Sequence, residues 1–383
     1  MPTPVVAERF RALKSSITIE TSERIRVARA AGRKIIGLAS GDPNLPTDER
    51  IIDAALDSMR GGNTRYGSSA GERVLREAVV ERERGRSGVR YEADDVIVTP
   101  GGKFALLTAL MGIVSPGDEV IVPHPGWVSY GPCVRLCGGT VVPFAAMDTF
   151  ERTALERLVT PATRAIIVNS PVNPTGRVLS RGDIAGLVEV ALTHNLWIVF
   201  DQVYADFVHD LPMHYPQGMP GGFERTMVVD SFSKSFGMTG WRLGYLAMPP
   251  GFATSVVKFM QHSVYCVPPF IQMAGVRALS LAGELLPAYR ALFRARLERA
   301  AAALRGLDWM TVTMPEAGFF LFPRVDGDAE AIARRWLEKL DVAVLPGGAF
   351  GAAGVQHLRI SLTSSDDELE TALERIVRAG RDA

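Results

Sequence analysis

Ser231-Phe-Ser-Lys234-Ser-Phe-Gly-Met-Thr-Gly-Trp241-Arg242-Leu-Gly-Tyr245 sets a lysine between two serines and an arginine eight residues beyond it. An amine with small hydroxyl neighbours can carry an imine, while the hydroxyls and the guanidinium grip a nearby dianion. Taken alone, Ser-x-Ser-Lys is a common loop sequence whose ordinary state is solvated surface. The surrounding chain decides between the two readings.

From residue 48 to 245 helical patterns at 48–60 (closed by Gly61-Gly62), 72–84, 103–114 and 181–195 alternate with apolar runs. The runs are 96–98, 120–122, 165–168, 196–200 and 227–229. Short runs that are apolar on both faces and joined through helices predict an α/β architecture with a mostly parallel central sheet and helices on both faces. Beyond Leu279 the texture changes. A long helix is expected at 287–304, short strands at 310–313, 319–322, 342–345 and 357–362, and a helix at 329–340. Ser365 and Glu368 form a capping-box pattern that opens a final helix. These elements predict a smaller α+β domain, completed by the segment before Gly41. The expected division is therefore 46–279 for a large domain, with 1–45 and 280–383 forming the small one. No internal repeat or long linker interrupts the chain, so the lobes should pack closely.

Composition narrows the function classes. Of the 383 residues 47% are hydrophobic and 22% charged, an ordinary globular balance. Lys+Arg and Asp+Glu both total 42, so no global charge draws in nucleic acid or an anionic membrane surface. No uncharged apolar run approaches a membrane span of about 18 residues, and the N-terminus lacks a basic segment followed by an apolar core. The three cysteines, Cys133, Cys137 and Cys266, are too sparse for a disulfide framework and suit a reducing cytoplasm. Cys133 and Cys137 fall four apart on an expected helix. With no further Cys or His at metal spacing, they read as core packing, and no metal site is expected.

Chemistry gathers just after the apolar runs, at the carboxyl ends where open α/β sheets bind ligands. Asn169-Ser-Pro-Val-Asn173-Pro-Thr-Gly176 follows one run, its prolines and glycine fixing a turn that can aim a neutral amide at the sheet end. Another run leads into Asp201-Gln-Val-Tyr204, a carboxylate and a phenol. A buried carboxylate beside a pyridine nitrogen would hold that ring protonated. Gly101-Gly102-Lys103 opens a helix whose exposed N–H groups suit a phosphate. Trp127 follows a third run and can stack on a planar group; His124 nearby reads as structural. Tyr66 lies in a loop and can reach a phosphate. Arg359 is a charge inside an otherwise apolar strand, where its fork invites a carboxylate. A Schiff-base lysine, a counter-charge for a ring nitrogen and a phosphate cradle together suit pyridoxal 5′-phosphate (PLP).

In this order the segments resemble the fold-type I PLP-dependent enzymes, and more narrowly the class I/II aminotransferases of the bacterial aspartate and aromatic branch. The resemblance runs from about Ile35 to the final helix. It implies that Lys234 holds PLP as an internal aldimine and that Gly102 and Lys103 bind its phosphate through backbone N–H groups. It also implies phosphate contacts from Ser231, Ser233 and Arg242, with Tyr66 reaching that phosphate from the neighbouring subunit of a homodimer with shared sites. Trp127 would stack on the ring, Asn173 and Tyr204 would bond its hydroxyl oxygen, and Asp201 would pair with its nitrogen. Gly41, in Ser40-Gly41-Asp42-Pro43, would touch the substrate carboxylate, and Arg359 would receive it, with Trp127 and Asn173 also beside the substrate.

The chain departs from the family in having Gln202 where Glu commonly follows the aspartate, and Gly126 where an aromatic is common; His124 is also less usual. The implied activity is transfer of an amino group from an L-amino acid to a 2-oxo acid, with Lys234 as general base. A lyase of the C–S β-lyase or cyclopropane-forming type would share the same core residues. A binding protein on a retired enzyme fold would have lost the lysine, and Lys234 is intact. Arg359 reports only that an α-carboxylate enters, so the sequence does not name the amino donor.

Overall fold

The computed structural model describes residues 5–11, 13, 15–147 and 149–380. The expectation for the first four residues, and the outer limits of the small domain at 1 and 383, lie outside the described residues. A seven-stranded sheet organises the larger part of the chain. Its strands are β1 Val96–Thr99, β2 Glu119–His124, β3 Thr140–Ala145, β4 Thr163–Asn169, β5 Trp197–Asp201, β6 Thr226–Ser231 and β7 Gly244–Ala247. They lie in the order β1-β7-β6-β5-β4-β2-β3. All neighbours are parallel except β7, which runs antiparallel between β1 and β6.

The alternation of strand side chains explains why both faces are covered. Ile97, Val199 and Val229 pack with helices Gly102–Ile113 and Ala253–Ser263 on one face. Val98 and Val228 pack with helices Arg73–Ser87 and Pro269–Ser280 on the other, and farther along that face Ile198 and Phe200 meet Arg181–Thr193. Each such side chain taken out of water contributes roughly 1.5–3 kcal/mol. Cys133 and Cys137 sit on and just after helix Tyr130–Leu136, buried in this core.

The five expected runs are β1, β2, β4, β5 and β6. Two strands had no counterpart in the sequence reading. β3 is an edge strand interrupted by Pro143 and largely exposed, so it lacks a buried apolar run. β7 is buried throughout but only four residues long, and it begins inside the lysine motif.

A smaller α+β layer follows. Leu358–Ser361 pairs antiparallel with Phe320–Leu321 and with Leu345–Pro346. Ile36–Gly37 returns from the N-terminal side to pair parallel with Val342–Ala343. Helices Ala329–Lys339 and Asp366–Ala379 close a second core around Trp336, Leu297 and Ile360. The Ser365–Glu368 capping box forms as expected. The long helix starts earlier than the pattern indicates, at Ala282, so Pro287 lies inside it at the cost of one backbone bond.

Candidate active site

β4 ends on Asn169, β5 on Asp201 and β6 on Ser231, while β1 leads into Gly101-Gly102 and β2 towards Trp127. These ends converge on a cavity of ≈ 280 Å³. Gly41, Gly102, Lys103, Trp127, Asn173, Asp201, Tyr204, Ser231, Ser233, Lys234, Arg242 and Arg359 all line it. Tyr66 does not: it is 85% exposed, with its ring 4.7 Å from that of Tyr265.

One end of the cavity is built for an anion. Helix Gly102–Ile113 points its N-terminus there, where the first N–H groups have no intrahelical acceptor. Arg242 reaches this end, its Nη1 donating to Thr239 O at 2.8 Å. Close approach requires glycine twice. A Cβ on Gly101, at φ +84°, would lie 2.6 Å from Arg242 Nη2, and one on Gly244 would lie 2.8 Å from Gly102 N. Ser231 caps the one-turn helix Phe232–Ser235, its Oγ accepting from Ser233 N at 3.1 Å and donating to Ser233 Oγ at 2.9 Å.

Lys234 sits on that turn. Burial, chiefly, lowers its pKa to about 8; the cations Arg359, Arg242 and Lys103 push the same way, against Asp42. Asp201 lies at the end of β5 and accepts from Tyr130 Oη at 2.7 Å and from Val203 N at 3.1 Å. Burial raises its pKa to about 6 despite those bonds, with Asp230 adding to the rise. Trp127 lies edge-on to Tyr130, and Lys103 Nζ sits 5.4 Å from the Trp127 ring centre.

The other end is Arg359, 2% exposed. Its Nη1 donates to Asn173 Oδ1 at 3.1 Å and its Nη2 to Ala39 O at 2.7 Å, while its Nε has no protein acceptor. The guanidinium lies 4.4 Å from the Phe320 ring centre and 4.9 Å from that of Phe350. Burial lowers its pKa to about 10, Tyr204 opposing. The cavity therefore offers an anion cradle, a carboxylate short of a cation, an amine that loses its proton readily, and a guanidinium short of an anion.

Four lining residues were not singled out from sequence: Thr18, Tyr130, Asn169 and Val203. Asn169 and Tyr130 fall inside stretches that carry other site residues, and that proximity was the available signal. Asn169 Oδ1 accepts from Asn173 N at 2.8 Å and its Nδ2 donates to Asp201 O at 2.9 Å, so it ties two strand ends together. Thr18 lies on helix Ile17–Ala30, whose sequence carries no motif. His124 is half-buried against Gly351, away from the cavity lining. Among the described residues no group of three or more His, Cys, Asp or Glu side chains could hold a metal ion. No described helix is long and apolar enough to cross a membrane.

The family profile for aminotransferase class I and II matches residues 33–376. An aspartate aminotransferase of Geobacillus stearothermophilus is 35% identical over 97% of this chain and 98% of its own. An aspartate/prephenate aminotransferase of Cereibacter sphaeroides is 36% identical, covering 95% of this chain and 96% of its own. Among solved structures, the aspartate aminotransferase of Thermus thermophilus with maleate superposes with a TM-score of 0.94 at 31% identity, over 98% of this chain and 100% of the other.

Proposed function

The chain belongs to the class I and II aminotransferase family, and from that membership we propose how its own residues carry out the reaction. It is a transaminase of the fold-type I architecture, moving an amino group from an amino acid to a 2-oxo acid. Lyase chemistry on the same core is not favoured, since the relatives above are named as aminotransferases.

We propose PLP as the cofactor, and the cavity's own chemistry supports the fit. A dianion matches the N–H groups of Gly102 and Lys103, the hydroxyls of Ser231 and Ser233, and Arg242. A cationic ring nitrogen would hold Asp201 ionised against its burial. Trp127 would stack on the ring, and Asn173 and Tyr204 would bond its hydroxyl oxygen. When bound, PLP supplies an aldehyde that condenses with amines and a ring that withdraws electrons from the substrate's α-carbon.

The observation that carries the reading is that Lys234, Asp201 and Arg359 meet in one cavity, each shifted towards its neutral form. Arg359, with a free Nε, binds the α-carboxylate and thereby fixes where the α-carbon lies; Gly41 leaves room beside it. Lys234 Nζ takes the α-proton, which its lowered proton affinity permits near neutral pH. Asp201, oriented by Tyr130, keeps its charge at the centre of the site. Phe320 and Phe350 flank the carboxylate receptor and give the Arg359 guanidinium apolar surroundings.

The same reading divides the chain into a large domain at 46–279 and a small one formed by 1–45 and 280–383. It makes the working unit a homodimer, in which Tyr66 serves the partner's site; the exposure of Tyr66 away from its own cavity supports this. The three free cysteines suit a reducing compartment, so a cytoplasmic location is part of the proposal.

The test is a panel of acidic, basic and aromatic amino acids together with a β-thioether amino acid that could release a thiol, each assayed with and without a 2-oxo acid acceptor. Release of one equivalent of the matching 2-oxo acid without acceptor, and turnover only with it, is expected. Steady ammonia and pyruvate release without an acceptor would establish a lyase instead.

A further inference from the structure

Beside the cavity-lining residues in sequence, but not on the cavity, lies a second set of buried charges that the reaction does not use. Arg86 Nη1 donates to Asp230 Oδ2 at 2.6 Å and its Nη2 to Asp206 Oδ1 at 2.8 Å. Arg82 also pairs with Asp206, which accepts a hydrogen bond from Ser235 Oγ. Two carboxylates and two guanidiniums thus balance.

Glu83, fully buried, is a third carboxyl group with no cation of its own. The nearest guanidinium nitrogen, Arg86 Nη1, donates only a long hydrogen bond to Glu83 Oε1 at 3.4 Å and is the one held more closely by Asp230. Glu83 Oε1 accepts from Gln202 Nε2 and from Tyr245 Oη, both at 2.7 Å. Glu83 Oε2 is buried with no partner, and so is Gln202 Oε1. Two side chains joined by one hydrogen bond therefore each carry an orphan oxygen. Two acceptors cannot satisfy each other, but one proton between them satisfies both.

We propose that Glu83 is a neutral carboxylic acid whose Oε2–H donates to Oε1 of Gln202, closing a two-bond acid–amide pair that positions the active-site strand ends. The orphan Oε1 of Gln202 is the acceptor this pair requires. The groups facing Glu83 agree. Burial raises its pKa first and Asp230 adds to it, against Arg86, Tyr245 and Arg82. Tyr91, whose buried Oη also has no partner, and Tyr215 face it too, both kept as neutral phenols by burial. A neutral Glu83 leaves the cluster at two charges of each sign, the condition under which buried charge is tolerated. The cluster touches the chain neighbours of three site residues: Gln202 follows Asp201, Asp230 precedes Ser231, and Ser235 follows Lys234. Glu83 and Gln202 are thus positioning residues, acting through backbone they do not share with the substrate.

Glu83→Gln reproduces the neutral acid, its amide N–H standing where Oε2–H stood. In the infrared difference between wild type and Glu83→Gln at neutral pH, a protonated-carboxyl C=O band that shifts in D2O should be lost. Loss of carboxylate bands alone overturns the proposal. Thermal melting supplies a second readout. A raised glutamate pKa means that folding takes up a proton, so wild-type stability falls as pH rises from the ordinary glutamate range towards the raised value. Glu83→Gln lacks that loss, so its melting temperature should gain on wild type by about 2–4 °C per pH unit in that window. A difference independent of pH overturns the proposal. Finally, Glu83→Gln should keep kcat within about twofold, whereas Glu83→Leu, which strands the Gln202 amide, should lower kcat about tenfold with KM nearly unmoved. Equal losses in both variants, or a loss carried by KM, overturn the positioning role. The first two readouts need no turnover and stand apart from the transaminase reading, on which the third rests.

Discussion

The cavity and the ion pairs behind it both bury charge, and they treat it in opposite ways. In the cluster, burial acts first against Asp206, Arg82 and Arg86, but their mutual attraction prevails: Asp206 is held well below the carboxylate range and both arginines above theirs. In the cavity Lys234, Asp201 and Arg359 all move towards neutrality because burial prevails. The same physical penalty thus marks architecture where partners answer it and a ligand site where they do not.

Four substitutions sharpen that contrast, taken from the largest effect to the smallest. Lys234→Ala should reduce transamination by on the order of 10⁴-fold, since proton transfer and amine exchange are lost together. Single-turnover release of 2-oxo acid measures this, and surviving turnover would unseat Lys234 as the base. On the structural side, Asp206→Asn leaves two buried arginines short of charge and should cost about 3–5 kcal/mol in denaturant unfolding. In wild type the same carboxylate contributes stability that is complete above the ordinary aspartate range and is lost progressively as pH falls from that range to its depressed value. An acid titration of stability in which Asp206→Asn loses less than wild type would fit, whereas an unchanged stability at pH 7 would show the cluster to be dispensable.

Asp201→Asn should lower kcat by about 10²–10³-fold without abolishing cofactor retention, because an electrostatic partner is removed from a low-dielectric site. Equilibrium dialysis of the cofactor alongside kcat separates the two. Arg359→Ala should raise KM for every amino-acid and 2-oxo-acid substrate by roughly tenfold to a hundredfold, the value of one charge-assisted pair. A rise confined to one substrate would move Arg359 to the side-chain end of the site.

The two regions also differ in how far the sequence disclosed them. Cavity residues follow continuous apolar strands, so Asn173, Asp201 and Lys234 announce themselves by position, and Arg359 by being a charge within an apolar strand. The cluster gives no such sign. Glu83 and Arg86 lie in Glu81-Arg-Glu-Arg-Gly-Arg86, which reads as a solvated helix face, and only packing against β6 and β7 buries them. β7 was hidden for a related reason: its pairing partners are decided by tertiary contact, not by its own four residues. Thr18 was hidden because the helix bearing it is polar nearly all round, and only its placement over the cavity gives it a role.

The lysine stretch leaves the sheet at Ser231 and returns to the same rung at Gly244, whereas Arg359 is tied to Ala39 across 320 residues of chain. Loop-closure entropy grows with the logarithm of loop length, so the second closure costs about 3 kcal/mol more than the first. The lysine end of the cavity is therefore a local construction and the carboxylate receptor a long-range one. Under partial unfolding the receptor should come apart first, leaving a protein that still presents its lysine but no longer selects what approaches it. Native-state hydrogen exchange would see this as earlier labelling of Leu38, whose amide bonds Ala343 O, than of the β6 amides.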